Sequence, residues 1–222
     1  MRTFDTPAPI ATVLDIPAGR IRLIAADRAD TAVEVLPADA SKRRDVKVAE
    51  QTTVDYSDGV LRIEAAAARN QYFGPSGSVE VTVQLPTGSS IETKAASAEL
   101  RAVGRLDDVN FEAYGAIKID EAASVRLTTA AGDVTVGHLS GPAEITTQKG
   151  NIQVAEATSG KVVLCTQMGN VTVGAAAEVS ASLDAGTQYG RIHNALKNTE
   201  GATAGLNIDA TTSYGDIDAR SL

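Results

Sequence analysis

The sequence predicts an all-β protein: a single-chain β-solenoid, or β-helix, with coils of about 18–25 residues and an N-terminal β-rich cap. Three observations predict it. A glycine-centred segment recurs at Gly132, Gly150, Gly169, Gly190 and Gly215, at spacings of 18, 19, 21 and 25 residues. Around each glycine, apolar and polar residues alternate with period two, the mark of half-buried strands. Aromatic residues make up 4% of the chain, with no Trp, so the core must be built from Val, Ile, Leu, Ala and Thr, which suits a narrow stack of coils.

The repeat columns agree with one another. Two residues after the glycine stand Val134, Ile152, Val171, Ile192 and Ile217, all β-branched. Three residues before it stand Thr129, Thr147, Thr166, Thr187 and Thr212. Upstream of each Thr, alternate residues share its face: Val125 and Leu127, Ala143 and Ile145, Val162 and Leu164, Leu183 and Ala185, Ile208 and Ala210. A one-residue slip would turn all of these to water, so the pattern sets the register. Repeats this short do not make a propeller blade, which needs roughly 40 residues. No 3.6-residue period appears. Each repeat is therefore expected to be one coil, paired with the coils before and after it at ~4.8 Å. The glycine column is expected to mark a turn or bulge with positive φ.

The repeats are assigned to residues 96–222, and residues 1–95 to a β-rich cap continuous with them. In the cap, Ile10 to Ile16, Arg20 to Ala25, Ala32 to Leu36, Val46 to Asp55, Val60 to Glu64, Val79 to Leu85 and Ile91 to Thr93 alternate as strands. Turn signals separate them, among them Pro17-Ala18-Gly19, Ser57-Asp58-Gly59 and Pro86-Thr87-Gly88. Lys42-Arg43-Arg44, flanked by Asp39 and Asp45, reads as a solvated loop. The quartet Ala65 to Ala68 reads as the start of a short helix or as a strand end, and Tyr72-Phe73 as a plug for the end of the core.

Charge and composition exclude several partners. The formal charge is −8, which disfavours nucleic acid at long range. No apolar run approaches the ~18 residues of a membrane span. The first residues, Met1-Arg2-Thr3-Phe4-Asp5, carry no apolar stretch after the arginine, so the expected compartment is the cytoplasm. The single cysteine, Cys165, excludes an intramolecular disulfide and occupies the place of Thr128, Thr146 and Thr211 in other coils.

The rhythm Thr-x-x-Gly-Asp/Asn-Val/Ile-x-Val resembles a bacterial family of β-strand-repeat proteins, a domain-of-unknown-function family carrying the label "putative adhesin". Phe4-Asp5-Thr6-Pro7, Gly19-Arg20-Ile21-Arg22-Leu23, Val33-Glu34-Val35-Leu36-Pro37 and Val79 to Ser89 also resemble it. The resemblance implies a β-helical fold and no particular chemistry.

The residues themselves offer no catalytic or cofactor-binding group. A carbohydrate-active β-helix would need clustered carboxylates on one face. The column after the glycine reads Asp133, Asn151, Asn170, Arg191, Asp216, so amides and an arginine separate its carboxylates. The two histidines, His138 and His193, lie in different coils from Cys165, so no metal site is expected. The expectation is a non-catalytic binding or scaffolding protein, with a protein or an extended polymer as partner. Its candidate binding face is the outward set Gln148, Gln167, Gln188, Tyr189 and Tyr214. Its candidate assembly edge is Asp209, Asp216 and Asp218 on the last coil, where unpaired strand edges would support a homodimer. The alternatives are a carbohydrate-active enzyme and a self-assembling structural β-helix.

Overall fold

The computed structural model describes residues 1–65 and 77–222. Tyr72-Phe73 and most of the alanine quartet lie outside the described residues. The described residues are 69% strand and 5% helix, as period-two alternation requires. Two compact units divide it, Met1–Tyr114 and Gly115–Leu222. Residue 95 lies inside a single strand of the first.

The first unit holds β1 (Arg2–Asp5), β2 (Ala11–Ala26), β3 (Asp30–Pro37), α1 (Arg43–Gln51), β4 (Thr53–Ser57), β5 (Val60–Glu64), β6 (Val79–Pro86) and β7 (Ser90–Ala113). Pro17-Ala18-Gly19 does not end a strand, because β2 runs through it and continues. The first part of β2 pairs in parallel with β5, the second part with β6, and both parts with β7. Added to this are the antiparallel pairs β1–β3, β3–β6 and β4–β5. The edge strands are guarded: Nη1 of Arg2, on β1, donates to the Val54 carbonyl on β4 at 2.7 Å, and Phe4 packs on Tyr56 with ring centroids 5.6 Å apart.

The stretch read as a strand from Val46 and as a basic loop before it is corrected here: Arg43–Gln51 is an α-helix, and the strand begins only at Thr53. Asp45, Val48, Ala49 and Thr52 stand at i, i+3, i+4 and i+7 and make its inner face, with Asp45 and Thr52 buried. Asp45 accepts a hydrogen bond from the Ser78 backbone N–H at 3.0 Å. A carboxylate therefore replaces one of the apolar residues that would have announced the helix.

The second unit holds β8 (Ile117–Ala131), β9 (Val134–Leu139), β10 (Ala143–Lys149), β11 (Ile152–Ala157), β12 (Gly160–Met168), β13 (Val171–Ala175), β14 (Ala181–Tyr189), β15 (Ile192–Ala195), β16 (Leu206–Tyr214) and β17 (Ile217–Ser221). They form two parallel ladders. One runs β8, β10, β12, β16, β14, joining the strands that precede each glycine. The other runs β8, β9, β11, β13, β17, β15, joining the strands that follow. The inward columns fill the core: Leu127, Ile145, Leu164 and Ala210 are fully buried, as are Val171 and Val173.

The coils do not stack in sequence order. The fifth repeat, β16–β17, sits between the third, β12–β13, and the fourth, β14–β15. The residues after each glycine account for this. Asp133 Oδ1 accepts the backbone N–H of Asn151, Asn151 Oδ1 that of Asn170, Asn170 Oδ1 that of Asp216, and Asp216 Oδ1 that of Arg191, at 2.7–2.9 Å. Each acceptor side chain supports the next coil. Arg191 has only donors, so it can end this column but not continue it. Sequential stacking would place it in the middle and break the chain of bonds.

The last coil in sequence is therefore not the edge, which corrects the assignment of Asp209, Asp216 and Asp218 to an assembly edge. Strands cover that coil on both sides. The edge is the fourth repeat, and among the described residues β14 and β15 have strand partners on one side only. Its core columns are open: Leu183, Ala185 and Thr187 are half-buried and Ile192 is 46% exposed, against 1% for Ile152 and Ile217. Leaving an isoleucine half in water forgoes on the order of 1 kcal/mol.

Candidate functional site

The swapped order decides which outward side chains meet. In the ladder before the glycines, Ala131, Lys149, Met168, Tyr214 and Tyr189 stand opposite one another in that sequence. Tyr214 and Tyr189, 25 residues apart in the repeat, become neighbours. Their rings stack with centroids 4.9 Å apart and planes 7° apart. Such a pair contributes about 0.5–1.5 kcal/mol beyond its area burial. Both rings and Met168 remain more than half exposed. A continuous ridge results, running from a cation through a thioether to two stacked phenols.

Gln148, Gln167 and Gln188 are exposed along the same strands. They do not form an unbroken amide ladder, because Ser213 of the inserted coil falls between Gln167 and Gln188 by the register of its neighbours Thr212 and Tyr214. Beneath the ridge, Thr hydroxyls point inward and donate to glycine carbonyls of the adjacent coil: Thr166 to Gly150, Thr212 to Gly169 and Thr187 to Gly215, at 2.9–3.1 Å. The threonine column holds the corner rigid under the tyrosines. Cys165 faces Thr146 and Thr211, as a small member of an outward column.

The three aspartates do not converge. Asp209 pairs with Lys161 at 2.9 Å and stands opposite Asp184 in the ladder. Its carboxylate raises the Lys161 ammonium above its ordinary value, first through the hydrogen bond and then through charge attraction. Asp216 lies at the corner, and Asp218 lies on β17 opposite His193. No group of three metal-ligating side chains gathers among the described residues. His138, on β9, sets its Nδ1 3.2 Å from Glu156, away from both ridge and corner.

Asp216 latches the edge coil. The Arg191 backbone N–H holds its carboxyl below the ordinary carboxylate range; desolvation opposes this, and the Arg191 guanidinium at 3.3 Å adds a lesser lowering. A carboxyl lowered in the folded state stabilises above its unfolded pKa, about 3.9, and loses that contribution as pH falls through the folded value. The Arg191 amide is therefore expected to exchange faster with solvent deuterium relative to other core amides below about pH 4. An unchanged ratio of rates between pH 6 and pH 3 would remove the latch.

Comparison with known proteins agrees with this architecture. A "putative adhesin" from Bacteroides fragilis is 13% identical, with a TM-score of 0.54 over 100% of this chain and 95% of that one. A "putative cell adhesion protein" from Clostridium sporogenes is 12% identical, with a TM-score of 0.45 over 100% of this chain and 98% of that one. At these identities the likeness to the first concerns the fold alone. No curated protein matches the chain. Residues 107–220, more than half of the sequence, match the family described as Toastrack DUF4097, a domain of unknown function. The chain belongs to that family.

Proposed function

We propose that the protein is a non-catalytic binding and scaffolding protein that holds an extended polymer, a polysaccharide or a peptide strand, along the ridge of Lys149, Met168, Tyr214 and Tyr189. The stacked and exposed tyrosine pair carries this reading. Aromatic faces give contact area at low conformational cost, and Gln148, Gln167 and Gln188 beside them supply amide donors and acceptors. The Bacteroides fragilis structure named above is called a "putative adhesin", which is in keeping with a binding role. Among the described residues no helix is long and apolar enough to cross a membrane.

The test is binding to arrayed polysaccharides and peptides, followed by titration of the best binder. Tyr189→Ala and Tyr214→Ala are each expected to weaken that binding at least tenfold while lowering the melting temperature by only about 2–6 °C, the loss of the stacked pair. Equal affinity for parent and variants would move the site off the ridge. Cleavage of a bound polysaccharide by the parent would replace the binding reading with the carbohydrate-active one.

A further inference from the structure

We propose that the edge coil β14–β15 is the interface of a two-fold homodimer in which the two copies exchange arms, β14 of each copy pairing antiparallel with β15 of the other.

The edge is unguarded. In the first unit the edge strands β1 and β4 are antiparallel and bridged by Arg2. In the second unit the Lys197 carbonyl accepts the Ala181 N–H at the start of β14, at 3.0 Å, and beyond that residue the edge coil has no such cover among the described residues. Every second backbone N–H and C=O of an edge strand points away from its one partner, a template for another strand. Leu183, Ala185 and Thr187 on β14 and Ile192 on β15 leave the end of the core open beside it.

Charge identifies the occupant as a second copy and fixes how it sits. Across Ala181–Tyr189 the only charged residue is Asp184, while Arg191–Lys197 carries Arg191, whose guanidinium already meets Asp216, and Lys197, and no acid. The coil thus has one acidic arm and one basic arm, on a chain whose formal charge is −8. β14 leads into the corner at Gly190 and β15 leads away from it. A two-fold axis through that corner and in the plane of the coil lays the acidic arm of each copy over the basic arm of the other, twice over. The strands then run antiparallel, and the closed symmetry leaves no edge for a third copy. The other in-plane axis would pair β14 with its own copy and bring two Asp184 side chains together beside the two Asp209 that already face them. Like charges opposite one another disfavour that arrangement.

The experiment is the mass of the intact chain by sedimentation and light scattering across a concentration series, at low and high salt. The parent is expected to be a dimer whose dissociation constant rises with salt. Asp184→Lys and Lys197→Glu, both at exposed positions, are each expected to weaken the dimer at least tenfold, and the double variant to regain most of the loss. Ala185→Pro, which removes a backbone donor on the open side of β14, is expected to give a monomer. Circular dichroism and the melting temperature report whether each variant is folded. A parent that stays monomeric at high concentration overturns the proposal, as does a parent that polymerises without limit. Folded single variants that dimerise like the parent overturn it, and so does a double variant no better than either single one.

Discussion

Ile152→Asp is expected to lower stability by roughly 3–5 kcal/mol, while Gln153→Asp stays within about half a kcal/mol of the parent. The two residues are adjacent on β11 and point to opposite sides. Ile152 is 1% exposed, stacked between Val134 and Val171 of neighbouring coils. A carboxylate there would meet only apolar side chains and could stay charged or become neutral only at high cost. Gln153 is exposed between Thr135 and Thr172, where water solvates any charge. Thermal unfolding of the two variants separates the cases, with Ile152→Asp melting about ten degrees lower or not folding at all. Equal melting temperatures would falsify the inside–outside assignment of this ladder.

Gly169→Ala is the second large effect. Gly169 has φ +153, and a Cβ there would collide with the Gly150 carbonyl of the adjacent coil. That carbonyl also accepts the Thr166 hydroxyl, so it has little freedom to move away. The backbone conformation alone costs a side-chain-bearing residue about 1–3 kcal/mol, and separating the coils adds to it. Gly186 is the control. A Cβ there meets nothing within 4 Å. Gly186→Ala is therefore expected to be neutral or to gain a few tenths of a kcal/mol by reducing the freedom of the unfolded chain. Chemical denaturation of the pair checks this, and comparable losses in both would mean that close approach is not what the glycine column serves.

Much of the fold was legible because one side of each strand is buried. Val125, Ile145, Leu164 and Ile208 could only alternate as they do if each strand had a dry face, and the threonines three residues before each glycine kept the register visible through spacings of 18 to 25 residues. The helix Arg43–Gln51 was hidden because Val46 and Val48 fit period two while its buried face includes a carboxylate. The ridge was half visible: Tyr189 and Tyr214 could be placed outward from parity. Their contact could not be read without the coil order, because periodicity specifies faces and not neighbours. That order was nevertheless written in the column Asp133, Asn151, Asn170, Arg191, Asp216, where the one residue unable to accept a hydrogen bond had to come last in space. The longest spacing, 25 residues, is the connection that carries the chain back past its own edge.

The inserted coil imposes a timetable on biogenesis. Early coils close over short separations, 18 residues between Asp133 and Asn151 and 19 between Asn151 and Asn170. The next bond, between Asn170 and Asp216, spans 46. Loop closure grows only as the logarithm of length, so the longer span costs less than about 1 kcal/mol more. The delay is larger than the energy. Among the described residues β14 and β15 pair only with β16 and β17, so a nascent chain that has delivered residue 195 to the outside of the ribosome has no native strand partner there for it. The fourth repeat must wait as an unfolded segment, with Leu183 and Ile192 uncovered, until the fifth has emerged and docked onto the third. During that interval the exposed ladder of β12 and β13 faces two repeats of nearly the same pattern, and the one that arrives first is the wrong one. The premature pairing costs nothing at Asn170, which can accept either backbone N–H, but Arg191 could not then accept the N–H of Asp216, so the correct order, in which Asp216 accepts that of Arg191, gains one bond once the fifth repeat appears.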